Sequence, residues 1–142
     1  MRAVVQRATR AEVVVGGATV AAQAGPGLVV LVGVTHEDGP GDVAYIARKV
    51  ADLRLLAGER SVREADGWVI VVSQFTLYAD VRKGRRPTWN NAAPGAVAQP
   101  LVDQVVATLR DEYGLTVETG VFGADMAVSL TNDGPMTILL ES

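Results

Sequence analysis

The apolar positions of this chain follow two different periods. Ala3–Gln6 and Glu12–Val15 are short and valine-rich. Gly16-Gly17 after Val15 tolerates the positive φ of a hairpin turn, so Ala18–Ala22 is predicted to return antiparallel. Gly25-Pro26-Gly27 interrupts the pattern, and Leu28–Val34 is then a continuous apolar run suited to a strand covered on both faces. The period changes at Val43. Val43, Ile46, Ala47, Val50 and Leu53 share one face of a helix, entered through Gly39-Pro40-Gly41 and capped by Asp38 or Asp42. Trp68–Phe75 is apolar and β-branched, a further strand. Val97, Leu101, Val105 and Leu109 mark a second amphipathic helix that Gly114 ends. Leu115–Glu118 reads as a short strand. Met126, Val128 and Leu130 alternate with Ala127, Ser129 and Thr131, the period of a half-buried strand. Asn132-Asp133-Gly134-Pro135 reads as a turn before a last strand, Met136–Leu140.

Two polar stretches separate these elements. Residues 57–67 read as a loop or ragged hairpin, and residues 79–96 as a long connection of the kind that is functional or mobile in a compact domain. The order is three strands, a helix, a strand, a helix and three strands. Two helices cannot sheath seven strands on both faces, so the strands are expected to divide into two packed sheets with both helices against one of them. The predicted fold class is therefore α+β (α/β in the broad sense), a three-layer β/β/α sandwich, in a single domain over residues 1–142.

Composition narrows the possibilities. Hydrophobic residues make up 49% of the 142 and charged residues 20%, which excludes disorder as the main state. There is no cysteine, hence no disulfide scaffold, thiol nucleophile or thiolate metal site. The longest apolar runs, Gly27–Val34 and Val69–Val72, fall far short of the roughly 20 residues of a membrane-spanning helix. Met1–Arg7 lacks the long apolar stretch of a secretory leader. A soluble, cytoplasmic protein with no membrane partner is expected.

The net charge of −3 argues against a broadly basic nucleic-acid binder until it is resolved along the chain. Arg82, Lys83, Arg85 and Arg86 place four cations within five residues, inside the long connection. They are either a solvated loop or a local field aimed at one end of an anionic ligand.

The candidate chemistry begins with what is missing. His36 is the only histidine, so a Ser-His-Asp triad would have to use it, and a strand exit is an ordinary place for a loop histidine. No zinc-protease helix, Cys/His cluster or phosphate-binding loop is present, so neither a metal nor another cofactor is expected. Gly120-Val121-Phe122-Gly123 matches the short glycine string of KH loops but lacks the basic residues that give that string meaning. Ser73–Asp80 (SQFTLYAD) ends an apolar strand in hydroxyl and amide groups. Its main-chain N–H groups could stabilise an oxyanion, or the segment could simply turn Phe75 and Leu77 to the core and its polar residues to water. Asn132–Thr137 (NDGPMT) is a hairpin turn or a second site. Gly-Pro also occurs at 25–26 and 39–40, and the residues alone do not single out Gly134-Pro135.

These strings together resemble a family. Met1–Arg7, Gly33-Val34, SQFTLYAD at 73–80, Lys83-Gly84-Arg85-Arg86-Pro87, Gly120 with Phe122–Met126, and NDGPMT at 132–137 are similar, over nearly the whole chain, to the D-aminoacyl-tRNA deacylases of the D-tyrosyl-tRNA deacylase type. The resemblance implies a homodimer with active sites at the subunit interface. It implies a tRNA substrate and hydrolysis of the ester joining a D-amino acid to the terminal adenosine, a chiral proofreading step in translation. Onto Ser73, Gln74, Phe75 and Thr76 it carries the floor of the acyl pocket. Onto Gly134 and Pro135 it carries a cis peptide that reaches into the partner's pocket and sets chiral selectivity. Onto Phe122, Gly123, Ala124 and Met126 it carries packing near the terminal adenosine. Two departures stand out. Residues 57–67 are shorter than the family's usual segment, which holds a Gly-Lys-Met-Asn string, and Trp89 stands where a Phe is usual.

Composition and resemblance converge on a mechanism without a reactive side chain. Thr76 is the one attractive hydroxyl and has no evident base. The expected chemistry is substrate-assisted: N–H groups at residues 75 and 76 hold the oxyanion, the vicinal 2′-hydroxyl of the tRNA orients water, and Thr76 positions without attacking. Discrimination by a clash with main-chain atoms would spare glycine, so glycyl-tRNA is an expected second substrate. Arg82, Lys83, Arg85 and Arg86 would then meet acceptor-stem phosphates. The alternatives are a threonine-dependent small-molecule esterase or amidase, and an RNA-binding module without enzymatic activity.

Overall fold

In the computed structural model, which describes residues 1–142, the chain runs through β1 (Arg2–Val15), β2 (Ala18–Gly33), α1 (Pro40–Asp52) and β3 (Trp68–Ser73). It continues through a 3₁₀ turn (Phe75–Tyr78), α2 (Gly95–Ala107) running into a π turn (Thr108–Glu112), β4 (Thr116–Thr119) and β5 (Ala127–Glu141). The fold is α+β, as the pattern implies, but five strands replace the seven. They form one hydrogen-bonded sheet, in the order β4-β3-β2-β1-β5, rather than two separate ones.

The merging has a local cause. Gly25-Pro26-Gly27 does not end a strand; β2 passes through it. Ala8 pairs with Gly27 while Arg10 pairs with Ala24, a register shift in which the two strands bend together. Gly27 is needed there because a Cβ would lie 2.1 Å from the Trp68 ring, and the Trp68 indole Nε1 donates to the Gly25 carbonyl at 2.9 Å. Beyond the bend, the outer halves of β1 and β2 lie over the second face of the sheet. Ala8, Ala11, Val13 and Ala21 pack there with Val29, Trp68, Ile70 and Val72, and Val128 and Leu130 of β5 join them. On the first face, Leu28, Val30, Val32, Val69 and Val71 meet the helices. The period-2 alternation of β2 and β3 thus feeds two cores, and three layers arise from one folded-over sheet.

The apolar face of α1 is the one the spacing predicts: Val43, Ile46, Ala47 and Val50 are buried. Asp42 supplies the cap, accepting the Gly39 N–H at 2.8 Å. Asp38 instead accepts the Thr35 N–H at 2.8 Å and pairs with the Met1 ammonium at 2.5 Å. In α2 Val105 and Leu109 are buried as expected, but in the first half Ala98 and Val102 are buried in place of Val97 and Leu101, and Val97 is 41% exposed. A strict four-residue spacing drifts around a helix of 3.6 residues per turn, so Val97 and Leu109 cannot share one face. Residues 57–67 form a compact turn cluster. Leu56 bridges Arg60, Val62 is fully buried, and Ser61 and Glu64 exchange hydrogen bonds at 2.8 and 3.1 Å.

Candidate active site

β3 runs parallel to β2, and the last bond of that ladder is from the Gln74 N–H to the Val32 carbonyl at 2.7 Å. β2 ends at Gly33, so the chain after Gln74 has no strand partner and turns into the 3₁₀ segment. The expected strand to Phe75 therefore stops at Ser73, and Phe75, for which both a core position and a pocket floor were open, is 55% exposed. The first bond of the turn is from the Leu77 N–H to the Gln74 carbonyl at 3.2 Å. The Phe75 and Thr76 N–H groups precede that bond and have no acceptor within the turn. Gly33 permits this close approach, since a Cβ there would sit 2.9 Å from the Gln74 carbonyl oxygen and 3.0 Å from Leu77 Cβ. Tyr78 anchors the far end. It is 7% exposed, with the Arg2 guanidinium 4.6 Å from its ring centroid, and burial pushes its phenol up to about 12.

Beside the turn lies a cavity of about 560 Å³ with mostly apolar walls. Ser73, Gln74 and Phe75 line it together with Phe122, Gly123, Ala124 and Met126, so two of the three candidate groups read from the sequence share one site. Gly120 makes room for Met126, whose sulfur would lie 2.4 Å from a Cβ at that position. Thr76 is not among the lining residues. Its hydroxyl accepts from Gln74 Nε2 at 2.5 Å, a contact that orients both side chains and supplies no base. Trp89 completes the rim edge-on to Phe75, with ring centroids 5.2 Å apart and planes at 75°. No three His, Cys, Asp or Glu side chains gather as metal ligands would.

The long connection is pinned at its base. Asp80 and Thr88 exchange both main-chain bonds at 2.9 and 3.0 Å. Arg82 Nε and Nη2 meet the two Asp80 oxygens at 3.0 and 2.6 Å, and the guanidinium holds that carboxyl well below its ordinary range, at about 2. Arg82 thus has a role inside its own loop. Lys83, Arg85 and Arg86 are exposed and form no ion pair, and none of the four cations lines the cavity. His36 is a loop residue whose Nε2 meets the Asn90 carbonyl at 2.8 Å, while the Thr35 hydroxyl donates to the Asn91 carbonyl at 2.6 Å.

Residues 132–135 do not form a hairpin turn. β5 continues in the same direction on both sides, with Thr137 opposite Gln6 and Asn132 opposite Ala8, so residues 133–136 bulge out where β1 offers only Arg7. Arg7 fills the gap. Its Nε donates to the Asp133 carbonyl and its Nη1 to the Leu55 carbonyl, both at 2.9 Å, and its Nε lies 3.2 Å from the Asp133 carboxylate. Asn132 Nδ2 and Thr137 Oγ1 both donate to Gln6 Oε1, and the Met136 N–H donates to Asn132 Oδ1 at 3.2 Å. The Gly134-Pro135 peptide bond is cis, and both residues are exposed and outside this subunit's cavity. Neither Arg7 as the clamp of this excursion nor His36 and Thr35 as ties of the rim is apparent from the sequence. Their only sequence signal is position: Arg7 follows an apolar strand segment and faces a long excursion that only the paired register reveals.

The chain matches the model of the family described as "D-Tyr-tRNA(Tyr) deacylase" over residues 4–141. The chain belongs to that family. Among relatives of this deacylase family, a D-aminoacyl-tRNA deacylase of Kineococcus radiotolerans is 68% identical over 142 residues, covering 100% of each chain. One from Thermobifida fusca is 61% identical, covering 99% of each. A solved structure described as "c-Myc DNA Unwinding Element Binding Protein" superposes with a TM-score of 0.93 at 40% identity, over 100% of this chain and 99% of that one. A second, described as a probable eukaryotic D-amino acid tRNA deacylase, shares the fold with a TM-score of 0.82 at 16% identity, over 98% of this chain and 97% of that one. The deacylase family is thus the setting in which the cavity, the free amides and the Gly134-Pro135 excursion are to be understood.

Proposed function

We propose that this chain hydrolyses the ester between a D-amino acid and the 3′-terminal adenosine of tRNA, acting in the cytoplasm as a homodimer, with main-chain amides as its oxyanion donors. The observation that carries this reading is the pair of Phe75 and Thr76 N–H groups, left without an acceptor in the turn that walls an apolar cavity. In that setting a positioned amide is worth roughly 10²–10³ in rate. Water adds to the ester carbonyl, the carbonyl oxygen takes the negative charge against the two amides, and the C–O bond to the ribose breaks. The proton lost by water goes to the departing ribose oxygen, giving free amino acid and tRNA. The vicinal 2′-hydroxyl orients the water. Ser73 and Gln74 form the pocket floor, and Thr76 positions Gln74. Phe122, Gly123, Ala124 and Met126 pack the adenosine. Family membership and the names of the relatives support the substrate class.

Chirality is read by Gly134 and Pro135 of a second subunit entering the cavity. Their exposure, and their place outside their own subunit's cavity, support this role. β5 is an edge strand whose Leu139 is 76% exposed, an unpaired apolar edge suited to a second copy. An L side chain would strike that main chain, whereas a glycine has nothing to strike with. Lys83, Arg85 and Arg86 supply a sequence-independent field for the acceptor-stem phosphates.

The test is turnover of D-tyrosyl-, L-tyrosyl- and glycyl-tRNA beside a simple D-tyrosine ester. Cleavage of the D-tyrosyl and glycyl forms, with the L form spared, is expected. Equal cleavage of the simple ester would instead indicate a small-molecule esterase. Binding of tRNA without turnover would indicate a nucleic-acid-binding module. Reversing Lys83, Arg85 and Arg86 to Glu is expected to raise KM and flatten its salt dependence; an unchanged salt slope would remove tRNA contact from their role.

A further inference from the structure

We infer that Trp89 is a stacking platform for the nucleotide that precedes the terminal adenosine, so that the enzyme reads a single-stranded dinucleotide end and not one nucleoside alone. This rests on the deacylase reading above. A cavity of about 560 Å³ is in the range that encloses one drug-sized ligand, the size of the terminal nucleoside with its acyl group. With that group inside, the next nucleotide lies at the rim. Trp89 stands there, 42% exposed and edge-on to Phe75, while the only other tryptophan, Trp68, is buried in the sheet.

Three features fit Trp89 to a base. The backbone that carries its ring is held before any ligand arrives: Asp80–Thr88 closes the loop before it, the Ala92 N–H donates to its carbonyl at 3.0 Å, and His36 and Thr35 tie down Asn90 and Asn91, while the ring itself rests edge-on against Phe75. A pre-ordered loop pays less entropy when the ring on it stacks. Its indole N–H has no protein acceptor and is free for a phosphate or ribose oxygen. Its loop also carries Lys83, Arg85 and Arg86, none of them paired, which complement a phosphate backbone. Cations beside an aromatic face are how proteins hold single-stranded nucleic acid without reading its sequence, each stacked base contributing roughly 1–3 kcal/mol.

The test compares kcat/KM for two D-tyrosyl esters, one on adenosine and one on the dinucleotide CpA, in wild type, Trp89→Phe and Trp89→Leu. The readout is the ratio of dinucleotide to adenosine ester, in which a general loss of folding or pocket shape cancels. The wild-type ratio is expected to exceed the Trp89→Leu ratio by about five- to a hundredfold, with Trp89→Phe between them. Equal ratios in all three proteins would overturn the proposal. Failure of the wild type to cleave D-tyrosyl-tRNA as well as both esters would defeat the deacylase reading instead. In that event fluorescence decides: in a Trp68→Phe protein, CpA must quench Trp89 emission more than adenosine does, and equal quenching overturns the platform. Strong protection of Trp89 from acrylamide before any RNA is added would mean that a second copy covers it, and would overturn the proposal as well.

Discussion

Gly33→Ala isolates the turn that carries the two free amides. The substitution introduces no backbone strain, because Gly33 is not in the left-handed region. Its whole effect is contact. The new methyl would meet the Gln74 carbonyl oxygen at 2.9 Å, Leu77 Cβ at 3.0 Å and Tyr78 Cδ2 at 3.3 Å. A main-chain oxygen and a Cβ cannot swing away as the end of a long side chain can, so the 3₁₀ turn must move by several tenths of an ångström. Overpacking of this kind costs about 1–3 kcal/mol of stability. The same shift carries the Phe75 and Thr76 N–H groups off the oxyanion position. With one donor worth roughly 10²–10³, partial misplacement is expected to lower kcat on D-tyrosyl-tRNA by about ten- to a hundredfold. KM should change little, because the basic loop and the adenosine end of the cavity are untouched. The assay is steady-state deacylation with a thermal melt beside it. Gly41→Ala is the control, since a Cβ there meets nothing within 4 Å. A Gly33→Ala protein with the expected loss of stability and a wild-type kcat would refute the catalytic role of this turn.

Arg7→Met removes two charge-assisted bonds to carbonyls from a side chain that is 18% exposed. The expected loss is about 2–4 kcal/mol by denaturant unfolding. The preference for D- over L-tyrosyl-tRNA should also fall at least about tenfold while glycyl-tRNA is still cleaved; an unchanged preference would separate Arg7 from chiral selection. The raised phenol of Tyr78, at about 12 against an ordinary 10, makes a prediction at high pH. The unfolded chain gives up this proton near pH 10 and the folded one near 12, so the unfolded state binds fewer protons in between and stability falls as pH rises through that window. The loss is of order 2 kcal/mol by pH 12 and should vanish in Tyr78→Phe, as read by urea unfolding at pH 8 to 12.

Much of the fold was legible because local periods survive folding. The α1 face follows directly from residue spacing, and the coverage of β2 on both faces from its continuous apolar run. What was not legible depends on pairing. Gly25-Pro26-Gly27 has the composition of a chain break, yet Trp68, more than forty residues away, packs on Gly27 and bonds Gly25, and the strand passes through. Asn132–Pro135 has the composition of a hairpin turn. Only the register against β1 reveals it as an excursion, and Arg7 as its clamp. At the site, the strings at 73–76 and 122–126 were readable as candidates, and the cavity brings them together. Thr76 was placed with them by the family resemblance, but a 3₁₀ turn spreads neighbouring side chains around its axis, so its hydroxyl meets Gln74 rather than the cavity. The four cations read as one cluster. Asp80 engages Arg82 alone, a distinction that charge counting does not make.

In the proposed mechanism amides of the main chain stabilise the reaction, and no side chain of the protein becomes acylated. Thr76→Val tests it most directly, because it deletes the hydroxyl and keeps the Thr76 amide. Single-turnover deacylation of D-tyrosyl-tRNA, quenched in acid and read by intact-protein mass, should show a rate within about tenfold of wild type and unmodified protein at every time point. A rate lower by three orders of magnitude or more, with an acyl group trapped on Thr76 in the wild type, would contradict it.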